Sequence, residues 1–199
     1  MEISTVISWL VLIFVIFYII RIFNTLIALK NRFQNSFSQI EVQLKRRYDL
    51  IPNLVETAKS YMAHERETLE AVISARNGAM AGLKAASSDP SSPQALKQLS
   101  SGEGILQSAL GRMNIAVEAY PELKASENMS QLTEELTSTE NRISFARQGF
   151  NDAVTEYNSY RQSFPQNLFS PTFGHKKDAP LLEFEDSAQI QDAPKVSFK

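Results

Sequence analysis

From Ile3 to Ile20 the chain runs for 18 residues without a charge, and only Ser4, Thr5 and Ser8 among them are not apolar. As a helix rising 1.5 Å per residue, this stretch is about 27 Å long, close to the ~30 Å hydrocarbon core of a bilayer. Ile3, Phe14 and Ile20 mark its start, middle and end. Trp9 and Tyr18 lie toward its two ends, where amphipathic rings favour the membrane interface. The basic start and small-residue cleavage site of a secretory signal are missing. Residues 1–21 are therefore expected to form an uncleaved single-pass anchor.

Beyond the anchor the apolar positions fall at alternating steps of three and four. They are Phe23, Leu26, Phe33, Phe37, Ile40, Leu44, Ile51, Leu54, Ala58 and Tyr61, with Lys30 and Arg47 in the two remaining places. Such spacing puts all of them on one helical face. The anchor is expected to continue straight into a long amphipathic helix, with Pro52 kinking or restarting it near Asp49, a candidate cap for the second part. A second helix is predicted over Ala63 to Ala86, with Leu69, Val72, Ile73 and Leu83 on its apolar side. Its Gly78 and Gly82, four residues apart, suggest a close helix crossing inside one bundle or at an oligomer interface. Ser87 to Pro93 (SSDPSSP) reads as a loop. A third helix over Gln94 to Tyr120 carries Gly102, Gly104 and Gly111, each costing roughly 1 kcal/mol of propensity. The last helix is the most regular: Met129, Leu132, Leu136, Thr139, Ile143, Ala146, Phe150, Ala153, Tyr157, Tyr160 and Phe164 keep the spacing for five heptads. No segment alternates as a strand does. The fold class is all-α, with residues 22–164 an antiparallel bundle of three to four helices in coiled-coil-like packing.

Half of the eight prolines (Pro165, Pro171, Pro180 and Pro194) fall in the last 35 residues, so no further helix is expected there. Residues 165–199 nevertheless keep Phe169, Phe173 and Phe198, with Phe164 at the junction, whereas a disordered tail is poor in such residues. This region reads as an extended strap whose aromatics dock on the bundle or on a neighbouring subunit.

Charge sharpens this outline. The 199 residues carry a net charge of −2. Six Lys or Arg against Glu41 between Arg21 and Arg47 give a +5 neck, and everything from Tyr48 onward is acidic. Arg21, Lys30 and Arg32 follow the apolar stretch and none precedes it. The positive-inside rule then places the bundle in the cytoplasm with a short N-terminus outside, and makes these three the lipid-proximal basic residues. Lys45-Arg46-Arg47 lies about 37 Å along the axis, severalfold beyond a Debye length. Arg46, Arg47 and Asp49 are accordingly expected to pair with neighbouring helices or subunits, with Glu56 and Glu140 as candidate acids.

Candidate chemistry is sparse. The chain has no cysteine and two histidines, which excludes disulfides, Cys-ligated zinc, iron–sulfur centres and thiol catalysis. A near-neutral chain is a poor nucleic-acid binder. His64-Glu65-Arg66-Glu67-Thr68 has Thr68 where a zinc protease motif needs its second His. Gly102-Glu103-Gly104 lacks the third Gly and the preceding strand of a dinucleotide loop. No catalytic, cofactor-binding or metal-binding residue is expected, and hence no cofactor.

The segments VQLKRRYDLIPNLVE (Val42 to Glu56), AHERETLEAVISARN (Ala63 to Asn77), ELTSTENRISFARQGFNDAVTEYN (Glu135 to Asn158), SFPQNLFSPTFG (Ser163 to Gly174) and the terminal DAPKVSF together resemble the LemA family. His175 departs from it, since an aromatic usually follows the Phe-Gly pair. The resemblance implies a bacterial membrane protein with an antiparallel helical bundle and no established enzymatic activity. Relatives are associated with membrane zinc proteases in gene neighbourhoods and, in magnetosome-forming bacteria, with shaping of membrane compartments. Some carry lipoprotein-type N-termini, which would put the bundle outside the cytoplasm. The expected function is a non-enzymatic scaffold in the bacterial inner membrane, self-assembling through its long helices and tail and organising or shaping membrane. The alternative is an adaptor or regulator of a membrane-bound zinc protease in membrane protein quality control. Expected partners are membrane lipids, further copies of the chain and, in the alternative, that protease.

Overall fold

The structure is a computed structural model and describes residues 2–184; Phe198, expected in the docking tail, lies outside the described residues. Six helices follow one another: α1 Ile3–Lys59, α2 Arg66–Ser88, α3 Pro93–Val117, α4 Pro121–Lys124, α5 Glu127–Gln162 and α6 Gln166–Phe169. No strand occurs among the described residues.

α1 is a single helix of 57 residues, about 85 Å long. Its first third is apolar and covered by nothing, and among the described residues it is the one helix long and apolar enough to cross a membrane. Burial begins abruptly: Ile20 is 49 % exposed and Ile22 only 1 %. From there the covered face runs through Leu26, Leu29, Phe33, Phe37, Ile40, Leu44, Arg47 and Tyr48, Ile51, Leu54 and Val55 to Ala58, ten steps over 36 residues. That is the 3.6-residue period of a straight helix, not the 3.5 of a supercoiled one. The difference corrects the start of the predicted stripe. A strict 3.5 repeat drifts about 20° per heptad around a straight helix, so Ile22 is buried where Phe23 was expected; at the other end α1 stops at Lys59, and in the turn beyond it Met62 is buried where Tyr61 was expected.

α1 does not break at Pro52, and Asp49 does not cap a second helix: both lie inside α1, Asp49 exposed on its surface. A proline in a helix interior frees the carbonyl four residues earlier, here that of Tyr48. Arg76 of α2 donates to that carbonyl through Nε at 2.6 Å, so the lost intrahelical bond is replaced from a neighbouring helix.

α5 lies antiparallel along α1, as the pairs Arg32–Glu156 and Arg46–Glu135 show. Phe150 sits between Phe33 and Phe37 in edge-on ring contacts, and Tyr157 packs on Phe33. α2 and α3 form the other antiparallel pair and approach so closely that side chains are excluded. A Cβ on Gly82 would lie 2.9 Å from the Leu99 Cα, and one on Gly102 3.0 Å from the Ala79 Cα. The crossing is therefore internal to the bundle and uses Gly82 with Gly102; Gly78 has open space around it. The helix-weakening cost of Gly102 is offset by the contact it permits. α3 starts at Pro93, capped by Ser92, whose hydroxyl accepts from the Ala95 N–H at 3.3 Å. Met62 packs in the core just beyond α1, and α2 begins at Arg66, three residues later than predicted.

Past Pro165 a helical turn does form, α6, contrary to the expectation of no further helix. Pro165 occupies the cap and leaves the four following residues free to coil. The chain then runs extended back over α5. Asn158 grips Ala179 by both backbone groups, its Oδ1 accepting from the N–H and its Nδ2 donating to the carbonyl, each at 2.9 Å. Asn151 holds Leu182 in the same way at 2.9 and 3.0 Å. Ser100 of α3 donates to the Glu183 carbonyl, and the Phe184 ring lies 4.8 Å from the Arg147 guanidinium carbon. The strap thus bridges α5 and α3. Phe169 and Phe173 pack on the core edge as expected, whereas Phe164 projects away from the bundle.

Candidate functional site

Two polar constellations stand out from this framework. The first is buried at mid-bundle. Arg47 takes a position on the apolar face of α1 and reaches both α3 and α5, contacting Glu103 and Glu140 through Nη1, each at 3.0 Å. Tyr48 donates its hydroxyl to the other oxygen of Glu103 in a short bond. Glu103 is only 3 % exposed and Arg47 6 %. Burial pushes the Glu103 carboxyl above the usual carboxylate range, against the pull of Arg47 and of the Tyr48 hydroxyl. Burial, then the Glu103 charge, likewise pushes the Tyr48 phenol far upward. A charge triad tied to three helices fixes how they face one another; Arg47 and Glu140 also line a cavity of about 230 Å³ together with Leu54, Leu110 and Asn114.

The pairing of Arg47 with Glu140 matches one of the acids named from the sequence. Arg46 pairs instead with Glu135 at 3.4 Å, both half-exposed, so the pair adds little to stability. Asp49 has no ionic partner among the described residues. Glu103 has no local motif to mark it; its one sequence signal is an acid at a core position of α3.

The second constellation holds the start of the strap. His175 is buried, and its Nδ1 lies 2.8 Å from the Tyr157 hydroxyl with the two rings in tilted contact. Burial, then the nearby charges of Lys30 and Arg161, lowers the His175 pKa below its ordinary value. Arg161 and Gln162 both bond Asp178, and that carboxyl is held below its usual range, most of all by the Gln162 amide. His175 therefore keeps ring packing at a position where the family resemblance leads one to expect an aromatic.

The basic neck is spread out. Arg21 is exposed at the first position past the apolar stretch. Lys30 is half-buried beside His175. Arg32, about 18 Å past Ile20 along the axis, pairs with Glu156 at 2.6 Å. His64 is exposed in the α1–α2 turn, and Thr68 donates to Glu65 at 3.3 Å. Among the described residues no three of His, Asp or Glu converge as metal ligands.

Against known proteins, the sequence profile of the LemA family matches residues 36–198. The magnetosome protein MamQ 2 of Paramagnetospirillum magneticum is 25 % identical over 170 residues, covering 78 % of this chain and 62 % of the relative. The protein LemA of Metamycoplasma hominis is 29 % identical over 144 residues, covering 72 % and 61 %. The magnetosome protein MamQ of Magnetospirillum gryphiswaldense is 23 % identical over 190 residues, covering 88 % and 68 %. The chain spans less than two thirds of the length of the first two of these relatives.

Proposed function

The chain belongs to the LemA family, and we propose that within it this protein is a non-enzymatic scaffold, anchored in a membrane by Ile3 to Ile20 and assembled laterally from many copies. The observation that carries this reading is the continuity of α1. One unbroken helix leaves its apolar first third wholly uncovered and builds its remainder into the core of the bundle. A body joined to its anchor without a hinge keeps a fixed angle to its own span, and this suits ordered arrays of copies. Large apolar side chains left exposed on the bundle, Val42, Ile105 and Phe145, supply contacts for such arrays. Two of the relatives are named as magnetosome proteins, and this supports a part in organising membrane. The basic residues that follow the span, Arg21, Lys30 and Arg32, support a bundle on the cytoplasmic side of a bacterial inner membrane.

Two differently tagged copies expressed together test the reading. Purification through one tag from solubilised membranes is expected to recover the other in comparable amount. Recovery of a single copy with a stoichiometric membrane zinc protease would replace the scaffold by the adaptor.

A further inference from the structure

We propose that the turn joining α5 to the strap, Phe164 to Leu168, is a second membrane contact that enters the headgroup layer of the bilayer crossed by α1. The inference rests on the reading of Ile3 to Ile20 as a membrane span.

The bundle has no stalk. Ile22 and Leu26, two and six residues past the apolar stretch, are already covered. Phe173 meets Phe23 edge-on with ring centroids 5.2 Å apart, and Phe169 stacks on Phe173 at 6.4 Å. Phe23 lies three residues past Ile20, about 4.5 Å along the axis. The polar layer of a bilayer is about 5–8 Å thick on each side of its hydrocarbon core. The turn that carries Phe169 and Phe173 is therefore at headgroup depth by its attachment to α1.

At this turn the chain comes down α5 toward the apolar end of α1 and reverses into α6 and the strap, so side chains at its tip point away from the bundle. Two of those are large and apolar: Phe164 is 79 % exposed and Leu168 63 %. Elsewhere a Phe and a Leu this bare at one turn would be a liability in water; at headgroup depth they bury their surface in the acyl boundary. Lys176 and Lys177 follow, both exposed, with the charge that anionic headgroups attract. The middle of α3 stays away from this end, since Glu103 meets Arg47, about 40 Å past Ile20 along α1. A span and a separate interfacial turn together fix both tilt and rotation of the body, which a lone span leaves free.

The chain has no cysteine, so a spin label can be placed at one chosen site of the full chain. Phe164→Cys, Leu168→Cys, Phe14→Cys and Ile115→Cys are labelled in vesicles of mixed zwitterionic and anionic phospholipid. Collision with oxygen, which partitions into lipid, is compared with collision with a water-soluble nickel chelate. Labels at 164 and 168 are expected to shift from the water-like oxygen-to-nickel ratio of the Ile115 label toward the lipid-like ratio of the Phe14 label. A ratio equal to that at Ile115 overturns the proposal, and so does protection from both reagents, which would mean cover by protein. A water-like reading at Phe14 would instead bring down the membrane span itself, independently of the turn.

Discussion

Replacing Arg47 by Met is expected to destabilise the full chain by about 3–5 kcal/mol, because it leaves the buried Glu103 carboxylate without its cation. Tyr48 still donates to Glu103, but a neutral hydroxyl does not replace a guanidinium inside the bundle. Glu140 is half-exposed and can turn to water, so the loss centres on Glu103. Adding Glu103→Leu should recover most of the deficit, since exchanging both members of a buried pair for apolar groups is often neutral or better. Chemical denaturation of the full chain in detergent, followed by helical circular dichroism, measures both. The deficit also depends on pH, with a definite sign. The native Glu103 pKa lies above its ordinary value of 4.5, so the folded state holds this proton more tightly than the unfolded chain does. Above the native pKa the ionised carboxylate is the costly form; as pH falls through that pKa toward 4.5, folding gains stability. Arg47 lowers that pKa, so its removal raises it further and the variant gains more than the parent on acidification; the Arg47→Met deficit should shrink. A loss below 1 kcal/mol, or one that grows on acidification, would contradict the role given to this pair.

Arg76→Met should cost about 1–3 kcal/mol, the penalty for leaving a buried acceptor without a partner, and the cost should depend on Pro52. The Tyr48 carbonyl takes its hydrogen bond from Arg76 only because Pro52 has no N–H to give. In a Pro52→Ala background the residue at 52 can donate to Tyr48 itself, and the same arginine substitution should then be nearly silent. A double-mutant cycle on the same denaturation assay reads this directly as a coupling energy. Strict additivity of the two substitutions would show that the helix tolerates Pro52 for another reason.

The long-range features of the fold were legible because they repeat. Eighteen uncharged residues and a sustained apolar stripe predict an anchor, a long helix and a bundle; the long helix and the bundle are present, and the helix begins with a stretch long and apolar enough to cross a membrane. What failed were features set by a single distant partner. The break expected at Pro52 is absent because the compensating donor sits on another helix, 28 residues on from Tyr48. Asn151 and Asn158 look like any solvated polar residue beside a seam, yet they hold the strap through paired backbone bonds. The buried position falls at Ile22 and not Phe23 because a 3.5 repeat and a 3.6 helix diverge over a long element, and at Met62 and not Tyr61 because α1 has already ended at Lys59. Phe164 extended the α5 pattern by one step, but α5 ends at Gln162 and Ser163 has extended backbone, which releases the next side chain from the helical face.

Those corrections bear on function. The bundle is braced internally by the Arg47–Glu103 pair and by the Gly82–Gly102 crossing, so neither is left over for contacts between copies. In the proposed scaffold, assembly falls to the apolar side chains left on the outside and to the rigid link between body and span that α1 provides. The most direct measurement of that claim is subunit counting. Each full-length chain, labelled with one fluorophore at a single introduced cysteine, is observed in vesicles drawn from native membranes and bleached to darkness. A self-assembling scaffold predicts spots that bleach in several steps at densities where random coincidence is rare. Spots that bleach in one step throughout would contradict it.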